Sequence, residues 1–238
     1  MQDGDSRALS VGTSPFLAGL RAAMPLWLGI TPYGLAYGLL GQTVGLGAGG
    51  TLAMSVFVFA GSAQFVALGL LGAGASYASI VLATLVVNLR HLLYGASLAP
   101  HLQEQPVRWK AAISFLLTDE TFAVVAGHLR EQGTIGRDFY LGVGLSIYLD
   151  WILSTVTGLA LGGLLPDPAA LGLDFALPAT FIGLLAQQLR GLPAWAALVA
   201  AGALVLLTAH LPGRLGIVLT IIVAATVGWG MERWLSRC

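Results

Sequence analysis

Polar and ionisable side chains set deep inside long apolar runs constrain this chain more than any other feature. Between residues 52 and 100, two adjacent apolar segments contain Ser55-Val-Phe-Val-Phe-Ala-Gly-Ser-Ala-Gln-Phe65 and Thr84-Leu-Val-Val-Asn88-Leu-Arg90-His91-Leu-Leu-Tyr94-Gly-Ala-Ser-Leu98. At a rise of about 1.5 Å per residue, Gln64, Asn88, Arg90 and His91 fall near the middle of a bilayer if these runs are helices. A charge there costs roughly 2.5 to 3.5 kcal/mol and is tolerated mainly where it faces a bundle interior or a wet cavity. The block is therefore expected to floor a polar site inside a membrane protein.

Composition points the same way. Of 238 residues, 57% are hydrophobic and 9% charged, and the mean hydropathy is +0.84, against about 25% charged residues in a soluble domain. Eleven basic and eleven acidic residues cancel, which leaves no basic field for nucleic acid to feel. Cys238 stands alone at the end of the sequence, so neither a disulfide framework nor a thiolate metal site is expected. The four histidines show no metal spacing, and Gly-x-Ser-x-Gly and Walker patterns are absent, which argues against a metal site, an ATPase and a serine hydrolase. No cofactor is expected.

The expected fold is an all-α integral membrane protein, a polytopic helical bundle of seven to eight segments with short discontinuous helices and a weak internal repeat. A polar tail, 1–14, precedes a single transmembrane domain, 15–235. Its apolar pieces are 15–41, carrying Pro25 and Pro32, then 51–72, 76–99, 111–127, 139–165, 175–189, 193–211 and 214–235. The run after the tail is too long for a signal-peptide core, so the first helix is expected to be retained. Two prolines predict a kinked or broken first helix. The piece 111–127 is interrupted by Thr118-Asp119-Glu120-Thr121, which reads either as one helix with inward carboxylates or as two half-segments meeting at a polar break. Eight spans with a cytoplasmic amino terminus place Arg7, Arg21, Arg130, Arg137, Arg190, Arg233 and Arg237 inside, and Arg108, Lys110 and Arg214 outside.

The candidate repeat pairs Phe59-Ala60-x-x-Ala63-x-Phe65-Val66-x-Leu68 with Phe175-Ala176-x-x-Ala179-x-Phe181-Ile182-x-Leu184, and Gly34-Leu-Ala-x-Gly38 with Gly158-Leu-Ala-x-Gly162; the alternative is a chance match, common in chains this rich in Ala, Leu and Gly. Its halves are 15–127 and 139–235. The short pieces 51–72 and 175–189 then correspond, and helix ends at mid-membrane are where a transporter places its site, because free N–H and C=O groups face the solute there.

Gly61, Ser62 and Gln64 lie in a stretch of small residues that permits a backbone break, from which the hydroxyl and amide could reach a solute. The alternative is a packed crossing with Gln64 bonded to a neighbour. Asn88 and His91, three apart, share a helix face, while Arg90 aligns with Tyr94. A guanidinium suits a carboxylate, and His91 can change charge near neutrality; alternatively Arg90 pairs permanently with Asp119, Glu120 or Asp150. Adjacent Asp119 and Glu120 cannot point the same way; one of them could carry a proton or pair with Arg90 while the other caps a break, or, if the segment is shallow, both are merely interfacial. The candidate substrate-binding residues are Gly61, Ser62, Gln64, Asn88 and Arg90, and the proton-coupling candidates are His91, Asp119 and Glu120. A secondary transporter fits these groups best; an intramembrane enzyme using His91 with a carboxylate, or a membrane subunit without its own site, are the alternatives.

Phe59-Ala-Gly-Ser-Ala-Gln-Phe65, Asn88-Leu-Arg-His-Leu-Leu-Tyr94 with Ser97-Leu-Ala-Pro100, Thr118-Asp-Glu-Thr-Phe122 and Leu171-Gly-Leu-Asp-Phe-Ala-Leu-Pro-Ala-Thr-Phe-Ile182 together resemble the AzlC family, the large subunit of bacterial branched-chain amino acid exporters. The resemblance implies a multi-pass inner-membrane permease. It also implies a small hydrophobic partner, AzlD, and export of leucine, isoleucine, valine and sometimes methionine on an ion gradient rather than ATP.

Overall fold

The computed structural model describes residues 14–164, 191–208 and 215–237, with the isolated positions 182, 185, 186 and 189. Apart from those positions, the expected piece 175–189, and with it the second copy of the Phe-Ala motif, lies outside the described residues. No strand occurs among them. Two compact units divide the chain, Met1–Leu177 and Pro178–Cys238.

The first unit is built on two long helices, α1 (Pro15–Thr43) and α8 (Arg137–Leu164). At 29 and 28 residues each is about 42 Å long, more than the roughly 30 Å hydrocarbon core demands. Ser14 caps α1 by accepting from the Leu17 N–H at 3.3 Å, and Pro15 follows at a position where its missing N–H is no loss. Of the kinked and the broken first helix expected from the prolines, the broken one is not found: α1 stays helical through Pro25 and Pro32.

Contacts between α1 and α8 keep one register: Trp27 reaches Ser146, Thr31 reaches Asp150 and Gln42 reaches Leu159. Partners differ by nearly constant sequence separation, so the two helices run parallel. Glycine lets them touch backbone to backbone. A Cβ on Gly38 would strike the Thr155 carbonyl and one on Gly158 the Leu35 carbonyl, while Gly19 and Gly142 lie equally tight on Phe139 and Phe16. Close approach through small residues replaces the missing hydrophobic drive for helix association in lipid.

Between these helices the chain makes two hairpins and one crossing. Helices α2 (Gly47–Phe57) and α3 (Gly61–Gly72) are each about 17 Å long, half a bilayer. Thr51 lies against Tyr37 and Gly41, Val56 meets Tyr148, Gly61 meets Trp151, and Gly72 is back beside Val44. In the register of α1 and α8, α2 therefore descends to mid-depth and α3 returns to the side it came from. The expected piece 51–72 is a re-entrant hairpin and crosses nothing.

Helices α4 (Tyr77–Asn88) and α5 (Arg90–Leu98), with a short 3₁₀ turn to His101, make an apolar crossing of 25 residues. Then α6 (Val107–Phe115) and α7 (Asp119–Gln132) form a second hairpin. Arg137 stacks over Trp109 at 4.1 Å, Tyr140 bonds the Ile113 carbonyl at 3.0 Å, and His128 stacks on Phe139 at 3.8 Å. This hairpin enters from the α8 amino-terminal side and goes back to it. Of the two readings of 111–127, the half-segments with a polar break are the ones found.

That geometry corrects the expected sidedness. Arg108 and Lys110 open the second hairpin on the same face as Arg21, Arg130 and Arg137, whereas the opposite turns, 44–46 and 73–76, carry no Lys or Arg. Among the described residues of the first unit positive charge gathers on one face, and the positive-inside rule puts that face in the cytoplasm.

In the second unit, α9 (Gly191–Thr208) and α10 (Leu215–Leu235) pack as an antiparallel pair, with Gly228 against Ala197 and Pro193. Trp229 carries the Arg233 guanidinium over its ring at 4.8 Å, an amphipathic pairing suited to a membrane interface. Among the described residues, three helical stretches are long and apolar enough to cross a membrane: Tyr77–His101, Arg137–Leu164 and Gly191–Thr208.

Candidate functional site

The two hairpin tips meet halfway along α8. Phe59, at the break between α2 and α3, packs edge-on against Tyr148 with centroids 4.9 Å apart and lies 6.1 Å from Phe115, the last residue of α6. Phe59 has φ 45°, a left-handed conformation that is strained for a bulky side chain. Its ring is held in this aromatic cluster, and Tyr148 donates to the Val56 carbonyl at 2.9 Å, taking up an acceptor that the end of α2 leaves free.

The tips differ in chemistry. The first turn of α7 is capped by Thr118, whose hydroxyl accepts from the Thr121 N–H at 3.3 Å, and it carries Asp119 and Glu120. No side chain caps α3, whose cap position is Ala60. One half-helix thus presents carboxylates at mid-depth and the other presents backbone N–H groups with the positive end of a helix dipole.

Around the second tip, Arg90 pairs with Asp119 at 2.7 Å, and Tyr94 donates to the same carboxylate at 2.8 Å. Tyr94 also stacks on Phe122 at 4.5 Å, which fixes its hydroxyl. Arg90 is the first residue of α5, at a break where the Leu89 N–H turns back to Val86. His91 Nδ1 lies 3.1 Å from the Asn88 carbonyl, so that nitrogen carries the proton and donates to an acceptor freed by the break. The Asn88 amide oxygen and Arg90 Nε are buried without partners. Glu120, half-buried beside Asp119, has no ion-pair partner among the described residues.

Around the first tip, a chain of hydrogen bonds ties Gln64 to α8. The Thr155 hydroxyl donates to the Trp151 carbonyl at 2.7 Å, so Ser55 must donate to Thr155 across 2.9 Å, and Gln64 Nε2 in turn donates to Ser55 at 3.1 Å. Each hydroxyl has one proton, which sets the direction of the chain and the orientation of the Gln64 amide. Gln64 Oε1 is left unpartnered in a residue with no exposure. Gly61 and Ser62 are half-buried at the start of α3.

The candidates of the sequence thus separate into two groups on either side of the meeting tips: Gly61, Ser62 and Gln64 with Ser55 and Thr155, and Asn88, Arg90, His91, Asp119 and Glu120 with Tyr94. Asp150 joins neither ion pair; it accepts from Thr31 at 2.8 Å, and its second oxygen is buried unpartnered. Ser55, Thr155 and Trp151 were not singled out by their spacing, because a serine, threonine or tryptophan in an apolar helix is ordinary packing until a partner helix is known. Beneath the second tip, a cavity of about 310 Å³ runs from Gln103 and Lys110 past Gly95, Leu98 and Ile113 to Leu117. It lies on the face rich in Lys and Arg.

Half-membrane hairpins entering from opposite faces, with polar groups where they meet, define a multi-span helical membrane protein with a mid-depth polar site. The AzlC protein family model matches residues 25–165, and the chain belongs to that family. The inner membrane protein YgaZ of Escherichia coli is 32% identical over 80% of this chain and 81% of its own length. The branched-chain amino acid transport protein AzlC of Bacillus subtilis is 30% identical over 73% of this chain and 67% of its own length. An uncharacterized membrane protein of Helicobacter pylori is 29% identical over 90% of this chain and 88% of its own length. No solved structure matches the chain significantly.

Proposed function

We propose that this protein is a proton-coupled secondary transporter that exports the branched-chain amino acids leucine, isoleucine and valine, and in addition methionine, across the bacterial inner membrane. The observation that carries the reading is the pair of half-helices of opposite chemistry, N–H groups on α3 and carboxylates on α7, facing mid-depth from hairpins of opposite entry. A zwitterion needs both. Its carboxylate is drawn to Gly61 and Ser62, its ammonium to Asp119 or Glu120, and the apolar cavity of about 310 Å³ has room for a branched aliphatic side chain on the cytoplasmic approach.

Arg90 and Tyr94 both bind Asp119, so protonation of that carboxylate would release Arg90. Together with His91 and Glu120 this makes a group whose charge can be coupled to passage of the substrate. Asn88, at the break between α4 and α5, supplies a further acceptor. The similarity to the branched-chain amino acid transport protein of Bacillus subtilis supports the substrate class, and the family resemblance adds a small hydrophobic AzlD-like subunit. The outer face of α4 and α5, with Val81, Leu82, Leu85, Leu92 and Leu93 exposed, offers that subunit a seat within the bilayer.

Everted vesicles test the reading. Labelled valine should accumulate when a proton gradient is imposed, cease to do so when the gradient is collapsed, and fail to accumulate in an Arg90→Ala/His91→Ala variant of normal abundance. Undiminished gradient-driven uptake by that double variant sinks the assignment.

A further inference from the structure

Below the second tip, two helix faces confront each other across empty space. One is Gly95 and Leu98 on α5, continued by Ala99 and Leu102, spaced at i, i+3, i+4 and i+7. The other is Lys110, Ile113 and Ser114 on α6, continued by Leu117 just past its end, at the same spacing. That spacing selects a single side of each helix, so both walls look onto the cavity of about 310 Å³ between them. Seven residues of helix make it about 10 Å long. Its polar groups are committed elsewhere: Lys110 reaches the Gln103 carbonyl at 2.9 Å at the cytoplasmic mouth, and the Ser114 hydroxyl donates to the Lys110 carbonyl at 2.7 Å. Leu98, Ile113 and Leu117, all buried, make the interior apolar. The inner end stops beside the carboxylates, since Gly95 follows Tyr94, which holds Asp119, and Leu117 precedes Thr118, which caps α7.

A glycine inside a helix costs stability relative to alanine. At Gly38 and Gly158 a partner backbone occupies the place of the missing side chain, but at Gly95 no atom lies within 4 Å of where a Cβ would go. Helix packing therefore does not account for Gly95; the chamber it lines does. We propose that this chamber is the subsite for the aliphatic side chain of the transported amino acid, and that Gly95 sets how large that side chain can be. The inference rests on the transport reading for the nature of its substrate. An amino acid whose ammonium is held at Asp119 or Glu120 has its Cα at the inner end, and its side chain runs between the two walls toward the mouth. Each further carbon buried there strengthens binding. Helical side chains lean toward the amino terminus of their helix, so any group placed at position 95 projects into this inner end and competes with the substrate for it.

The test is binding of leucine and alanine to the full chain in lipid nanodiscs, followed by calorimetry. Wild type should favour leucine by roughly fiftyfold, the worth of three buried carbons. Gly95→Leu should fold, because its side chain enters open space, and should cut the leucine-to-alanine ratio at least about tenfold. Gly29→Leu, at another glycine with open space beside it, should keep the wild-type ratio. A second measurement needs no bulky substituent, so a Gly95→Leu chain that fails to fold leaves the decision intact. With Cys238, the single cysteine, replaced by serine, Gly95→Cys puts a thiol in the chamber. Leucine at ten times its Kd should slow the reaction of that thiol with a small methanethiosulfonate about tenfold. If leucine leaves this rate unchanged, or if folded Gly95→Leu keeps the wild-type ratio or loses both ligands alike, the chamber holds a lipid chain or nothing. The subsite then falls while the transport reading stands. Should the wild type bind none of leucine, isoleucine and valine, the transport reading falls and the subsite with it.

Discussion

Asp119 is the residue on which the second polar group converges, since one carboxylate takes both the Arg90 guanidinium and the Tyr94 hydroxyl. Removing one partner leaves a charge in a poor solvent, whereas removing both removes the problem. Arg90→Ala should therefore lower stability in nanodiscs by roughly 1–2 kcal/mol, less than for a sealed pair because the two side chains are 25% and 36% exposed. Arg90→Ala/Asp119→Ala should recover part of that loss, a recovery read as non-additivity in a double-mutant cycle of melting midpoints. Strict additivity would mean that the pair is held apart by solvent and does not couple. Gln64 behaves differently at this scale: it is sealed, and one of its two amide N–H groups is committed to Ser55.

At the scale of elements, backbone contact between α1 and α8 sets the position of everything else. Gly38 and Gly158 pack reciprocally on the partner helix, whereas Gly29 on the same α1 has open space where a side chain would go. Gly38→Leu should separate the two helices and cost more than about 3 kcal/mol, enough to abolish recovery of folded protein, while Gly29→Leu should be accepted. Fluorescence-detected size exclusion of the two variants checks this; equal yields would remove the close crossing as the organising contact. Both hairpins depend on that crossing, because Trp151 and Tyr148 on α8 receive the first tip and Tyr140 and Phe139 receive the arms of the second.

At the scale of the first unit, the hairpins dictate which loops share a side of the membrane. With Cys238→Ser as background, Ala48→Cys and Ala73→Cys should label with an impermeant maleimide from one side, and Glu104→Cys and Gln132→Cys from the other. An unbroken span over 51–72 would separate Ala48 from Ala73 instead, so labelling of those two from opposite faces would refute the re-entrant hairpin.

The sequence by itself determined that the chain lies in a membrane, that it is helical and that it carries polar groups at mid-depth, because apolar length and the energetic penalty of buried charge are properties of residues and their spacing. It also pointed to breaks at the small-residue stretch 60–64 and at the Thr118-Asp-Glu-Thr121 run, just after the 58–60 and 116–118 turns where the helices are interrupted. It left open whether each broken piece crosses or returns, since half-helices that continue and half-helices that fold back have the same local composition. Only the tertiary structure decided that. The register of Gly61 on Trp151, Gly72 by Val44 and His128 on Phe139 turns two expected crossings into hairpins, moves Arg108 and Lys110 to the face of Arg137, and brings Arg90 to Asp119. Contacts between residues far apart in the chain depend on how helices pack, and periodicity along one helix does not encode which neighbour it will meet.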